Sequence, residues 1–170
     1  MTASDSRCLR ILPLAAEDIG ALIELAGVIW RQHYPDMISV DQIEYMLAER
    51  YTPEAVRAQM CRDDAWWDKA LIGARMIGFV HYELSGCVMM LNQVYVHQDC
   101  QRQGHGGRLL AQVEKQARSS ACGAVRLKVN KRNFNSIAAY RKHGYAVVAT
   151  ALADIGGGFF MDDYVMEKTL

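Results

Sequence analysis

The stretch VMMLNQVYVHQDCQRQGHGGRLL, residues 88–110, decides the fold. Its first part reads as a strand, and its end opens the helix GGRLLAQVEKQARSS. Three glycines, Gly104, Gly106 and Gly107, stand at the junction. A helix entry that needs a tight turn explains some of them. Two phosphate motifs are excluded. The dinucleotide fingerprint requires a glycine where Leu109 stands, and a Walker A loop requires Gly-Lys-Ser/Thr where Gly107-Arg108-Leu109 stands. What remains beside the plain turn is a loop whose N–H groups, from Gln101 to Gly107, converge at a helix N-terminus. Glycines let phosphate oxygens approach the backbone, and the helix dipole favours the anion. Arg102 and Arg108 add positive charge or stand as solvated surface residues.

Composition bounds the rest. A chain of 170 residues, 51% of them hydrophobic, suits one domain, residues 1–170, with a sizeable core. Zero net charge gives no reason to expect a nucleic-acid partner. No apolar run approaches the ~18 residues of a membrane span. The start, MTASDSRCLRILPLAAED, lacks the pattern of a secretory leader. Five scattered cysteines without a Cys-x-x-Cys read as thiols of a cytoplasmic protein, and no clustered ligands suggest a metal.

The elements follow from periodicity. CLRILPL is a first strand. Ile19, Leu22, Ile23, Ala26 and Ile29 have helical spacing. SVDQIEYMLAERY is a second helix capped by Ser39, and TPEAVRAQMC a third, with Thr52 as cap and Pro53 at its first position. WWDKALI, RMIGFVHYEL and CVMMLNQVYV are strands, the first two antiparallel because their connection is short. After the glycine loop come a helix, the strand AVRLKVN, and the helix NFNSIAAYRKHG, which stops at Gly144. YAVVAT and FFMDDYVMEKTL close the chain as strands across GGG. Mostly antiparallel strands with one βαβ crossover predict a mixed α/β fold, a sheet flanked by helices.

VYVHQDCQRQGHGGRLL resembles motif A of the GNAT acetyltransferases, Gln/Arg-x-x-Gly-x-Gly/Ala, with Gln101, Gly104 and Gly106 in place. LKVNKRNFNSIAAYRKHGY resembles the family's second motif, filled by Asn133, Tyr140, Gly144 and Tyr145. The likeness covers residues 75–170. The segments 29–51 and 157–170 are more loosely similar to bacterial polyamine acetyltransferases.

The resemblance implies a twisted sheet of about seven strands, splayed between the fourth and fifth. It implies acetyl-CoA as co-substrate, with the pyrophosphate held by the loop Gln101, Arg102, Gln103, Gly104, His105, Gly106 and Gly107. The pantetheine would pair with backbone of Tyr95 and Val96 like an added strand, with Asn133 bonding it or capping its helix. Lys142 would meet the adenosine 3′-phosphate or stand solvated. Tyr140 would protonate the leaving thiolate. A carbonyl donor would come from backbone near Val96. Relatives place a glutamate base on the fourth strand; here Asn92 and Gln93 stand there, leaving Glu83, His81 or His97 to act through water. Cys100 beside the motif raises a covalent acetyl-enzyme, against the direct transfer usual in the family.

The acceptor implied is a small-molecule amine, with a polyamine favoured. Trp30, His33, Tyr34 and Tyr45 offer ring faces to a cation, and Asp154, Asp162 and Asp163 offer carboxylates. Trp30 and Tyr45 fit the core faces of their helices equally well. The alternatives are a protein or peptide N-acetyltransferase and a non-catalytic acyl-CoA-binding module. The resemblance leaves room for a homodimer.

Overall fold

The computed structural model describes residues 8–170. Residues 1–7, which begin the stretch read as lacking a leader, lie outside the described residues. Strands β1 (Leu9–Pro13), β2 (Ala65–Ile72), β3 (Arg75–Ser85) and β4 (Val88–Val96) form an antiparallel meander. β5 (Ala124–Asn130), β6 (Ala146–Gly156) and β7 (Phe159–Thr169) complete one seven-stranded sheet, in the order β1-β2-β3-β4-β5-β7-β6. The β4–β5 pair is parallel, as its crossover through α4 (His105–Ser119) requires.

Local chemistry sets the helices. Ser39 Oγ accepts from the Gln42 N–H at 3.1 Å and starts α2 (Val40–Arg50). Thr52 Oγ1 accepts from the Ala55 N–H at 3.1 Å, and Pro53 opens α3 (Pro53–Met60). α1 (Ile19–His33) buries Ile19, Leu22, Ala26 and Ile29 of the predicted apolar spacing, with Ile23 partly buried, and α5 (Phe134–Lys142) buries Ile137.

Alternation along the strands divides the core in two. On β3, Val80 and Tyr82 pack toward α4 and α5 with Leu91, Leu109, Leu127 and Met166. Phe79 packs toward α1, α2 and α3 with Leu22, Trp30, Met46 and Val56. The two-residue period turns His81 and Glu83 to that same face.

β6 is longer than the predicted YAVVAT. It runs to Gly156 because β7 pairs with it to the end, Leu152 opposite Asp162 and Gly156 opposite Phe159. Cross-strand pairing outweighs the weak strand preference of its alanines. Tyr45 of α2 holds the hairpin tip by donating to the Ile155 carbonyl at 3.0 Å.

The sheet opens between β4 and β5. β4 and β5 pair through Val88–Leu91 and Ala124–Leu127. Beyond that, β3 holds β4 as far as Val96, while β7 holds β5 as far as Asn130. The two strands are drawn to different neighbours and part. At the parting β4 carries a bulge: His81 pairs with Gln93 and Tyr82 with Leu91, leaving Asn92 extra. Gly78 makes close packing possible here, since a Cβ on it would sit 2.5 Å from the Tyr95 carbonyl oxygen.

Candidate active site

A cavity of 710 Å³ fills the opening between β4 and β5 and extends under α1 and α2. Its wall brings together Tyr95, Val96, Gln101, Asn133 and Tyr140 with Trp30, Tyr34 and Asp163. Residues from both sequence motifs and from the N-terminal helices therefore meet in one place.

The glycine loop stands at one end. Gly104 caps α4 in the left-handed conformation, φ 83°, which a side chain would strain. A Cβ on Gly104 or Gly106 would meet nothing within 4 Å, so open space lies beside the loop at both positions. The next glycine differs: a Cβ on Gly107 would lie 2.6 Å from the His143 ring, so Gly107 lets α4 pack against the end of α5. Gln101 spends its own N–H on the Gln98 carbonyl at 3.1 Å, while its side chain donates to the Val96 carbonyl at 2.9 Å. Gln103 ties back to the Asp99 carbonyl, and Arg102 is exposed with φ 59°. Both ring nitrogens of His105 are buried without a partner among the described residues. Lys142 is exposed in the last turn of α5 and does not line the cavity.

Along the gap, the Tyr95 carbonyl points at Gly78 on β3. Strand backbone alternates sides, so the groups of Val94 and Val96 face the missing neighbour. Asn133 caps α5 by accepting from the Ser136 N–H at 3.3 Å, and its amide nitrogen meets His33 Nε2 at 3.0 Å. Tyr140 projects from α5 into the cavity with its ring edge-on to Tyr145. Burial and the nearby Tyr34 push its phenol well up from the usual value, so it stays protonated. A protonated phenol facing a cavity can donate a proton to a group bound there.

The acceptor residues divide. Asp162 and Asp163 sit on opposite faces of β7. Asp162 is exposed and paired with Lys131. Asp163 is 8% exposed, lines the cavity, and has an Oδ1 without a partner. Burial raises its carboxyl from the ordinary value against the pull of Lys128 and Arg50. Asp154 turns to the Gly156 N–H instead. Trp30 is 2% exposed and is chiefly core, edge to face with Tyr51. Tyr34 is buried beneath the cavity.

The base candidates also separate. His97 caps the single turn after β4 and faces Asp99 at 3.6 Å, away from the cavity wall. Glu83 reaches the wall with its carboxylate held by Arg62 at 2.6 Å. His81 is 2% exposed, lines the cavity and is stacked on Trp67, with both nitrogens unpartnered. Cys100 packs into the core under α4 with Val96 and Leu109, away from the cavity wall. Asn130, Arg50 and Lys128 also line the cavity without any motif announcing them. Gln93, at the place where the resemblance expects a glutamate, lines it too.

The geometry agrees with known proteins. The model of the acetyltransferase (GNAT) family matches residues 21–145. The chain is 27% identical over 164 residues to a spermidine N(1)-acetyltransferase of Thermoplasma acidophilum, covering 94% of this chain and 96% of that protein. It superposes with a TM-score of 0.84 and 26% identity on the crystal structure of PaiA N-acetyltransferase from the same organism in complex with coenzyme A, over 96% of this chain and 99% of that one. The fold alone is shared with ribosomal-protein-S18-alanine N-acetyltransferase from Escherichia coli, TM-score 0.70 at 16% identity, over 95% and 94% of the two chains. With the splayed strands and the glycine loop in place, the chain belongs to the acetyltransferase (GNAT) family and is an N-acetyltransferase.

Proposed function

We propose that this enzyme moves acetyl from acetyl-CoA directly to the primary amine of a small, multiply charged acceptor of the spermidine class. The carrying observation is Asp163: a buried carboxylate that faces the cavity with one oxygen unpartnered. An ammonium group would satisfy that oxygen and restore its charge balance. The spermidine N(1)-acetyltransferase that the chain resembles supports the same acceptor class.

The remaining roles follow the wall. The loop from Arg102 to Gly107 takes the pyrophosphate at the open start of α4. The free edge of β4, at Val94 and the Val96 N–H, takes the pantetheine, beside Asn133. Tyr140 gives its proton to the thiolate as the carbon–sulfur bond breaks. We place the enzyme in the cytoplasm, in keeping with five cysteines held as free thiols. Among the described residues no helix is long and apolar enough to cross a membrane.

Arg50 and Lys128 favour a second reading, an acceptor that carries a carboxylate beside its amine. An acetyl-CoA consumption assay over spermidine, spermine, aminoglycosides, amino acids and peptides separates the readings. Turnover of spermidine supports the proposal. Turnover of an amino acid or peptide without any polyamine activity overturns it.

A further inference from the structure

We infer that His81 is the proton acceptor for the incoming amine and that Gln93, its partner across the β3–β4 ladder, holds that amine in place. The inference rests on the proposed amine acceptor. The two residues pair directly in register, so their side chains leave the same face about 5 Å apart. That face looks toward α1–α3, and both residues line the cavity. Both are buried, at 2% and 7% exposure. The His81 nitrogens and the Gln93 Oε1 lack any partner among the described residues.

Two adjacent buried groups with unused acceptor capacity are costly in a folded protein. A ligand that brings N–H donors relieves that cost. Position adds to the case. The pair sits beside the bulge at Asn92, where β4 has just lost β5. A thioester lying along the free edge of β4 would present its carbonyl beside them.

The charges acting on the imidazole are Glu83 from its own strand and Arg62 from the segment after α3. Trp67 from β2 stacks on the ring at 4.5 Å, and its indole N–H donates to Gln59 of α3, so neither brings charge. Asp163, Arg50, Lys128 and His33 line the same cavity. Burial lowers the His81 pKa to about 4 against the pull of Glu83, so the ring is neutral at ordinary pH with a free lone pair. The shift also makes it a weak base, so the proton passes to it in step with attack on the thioester rather than ahead of it. The same burial makes an alkylammonium easier to deprotonate, because desolvation disfavours its charge.

The protons balance. The ammonium gives one to His81 as its nitrogen attacks the thioester carbon. As the tetrahedral intermediate collapses, the C–S bond breaks and Tyr140 protonates the sulfur. A second proton leaves nitrogen and replaces the one Tyr140 gave. One proton is released overall, the one on His81, and Glu83 at the cavity wall offers its path to solvent.

The test is steady-state kinetics of wild type, His81→Gln and Gln93→Ala on whichever amine the wild type acetylates. His81→Gln should keep acetyl-CoA affinity and lose ~10²-fold in kcat near neutral pH. The loss should shrink as rising pH supplies neutral amine. Gln93→Ala should raise the amine KM with a smaller effect on kcat. A folded His81→Gln enzyme with kcat within about threefold of wild type and the same pH profile overturns the inference alone. A wild type that acetylates no amine overturns the function reading and this inference together. Imidazole NMR of the wild type needs no variant: the His81 resonances should move when the amine is added to the CoA complex, and unmoved resonances overturn the assignment.

Discussion

The phenol of Tyr34, at the end of α1, meets the phenol of Tyr95, on β4, at 2.9 Å. Tyr95 lies on the part of β4 that β5 has left. The bond therefore fastens a strand lacking one neighbour to the helix above it. Burial pushes both phenols up from their usual value, so the pair stays neutral and hydrogen-bonded into alkaline pH. Tyr34→Phe leaves the Tyr95 hydroxyl unpartnered. It should destabilise the fold by about 1 kcal/mol in urea unfolding.

Gly106 is a clean position for testing the phosphate loop. Gly104 has φ 83°, so any side chain there strains the backbone before it meets a ligand. Gly106 has no such strain and faces open space. Gly106→Val should fold normally and bind CoA at least tenfold more weakly by calorimetric titration, about 1.4 kcal/mol. Unchanged affinity would remove the loop from pyrophosphate binding.

Tyr140→Phe should lower kcat by ~10²–10⁴-fold while leaving acetyl-CoA affinity nearly intact. Because burial raises the phenol above its ordinary value of 10.0, the wild type should show no alkaline loss of kcat from this group up to about pH 10. A drop of less than about threefold in kcat would reduce Tyr140 to packing.

Asp163 and Asp162 should respond oppositely to the same change. Asp163→Asn should raise the polyamine KM severalfold with modest effect on kcat, and Asp162→Asn should leave KM unchanged. Stability gives a second readout. The Asp163 pKa is raised in the fold, so its ionised form costs stability above the folded pKa. That cost vanishes once pH falls below the ordinary aspartate value, where both states hold the proton. Asp163→Asn should therefore melt higher than wild type at neutral pH, and the gap should close in acid. Equal melting temperatures at neutral pH would contradict the sign.

The sequence by itself determined whatever local chemistry decides. Ser39 and Thr52 cap helices by bonds that reach only three residues ahead, so their effect is written in the adjacent chain. Gly104 ends one conformation and begins another at a single residue. The order of the two motifs and the crossover between β4 and β5 followed from such signals. Tertiary structure alone decided which polar side chains face the cavity. Asp162 and Asp163 are neighbours in sequence, yet strand pairing sends one to Lys131 and the other into the site. Cys100 stood beside the glycine motif and went into the core, while His81 and Gln93 stood apart in sequence and came together. The two-residue turn between Ser85 and Val88 sets the register of β3 on β4 locally, whereas the competition of β3 and β7 for strands that would otherwise pair depends on residues far apart in the chain. The bulge at Asn92 then shifts that register by one, which brings Gln93 to the face of His81, and the turn alone does not encode it.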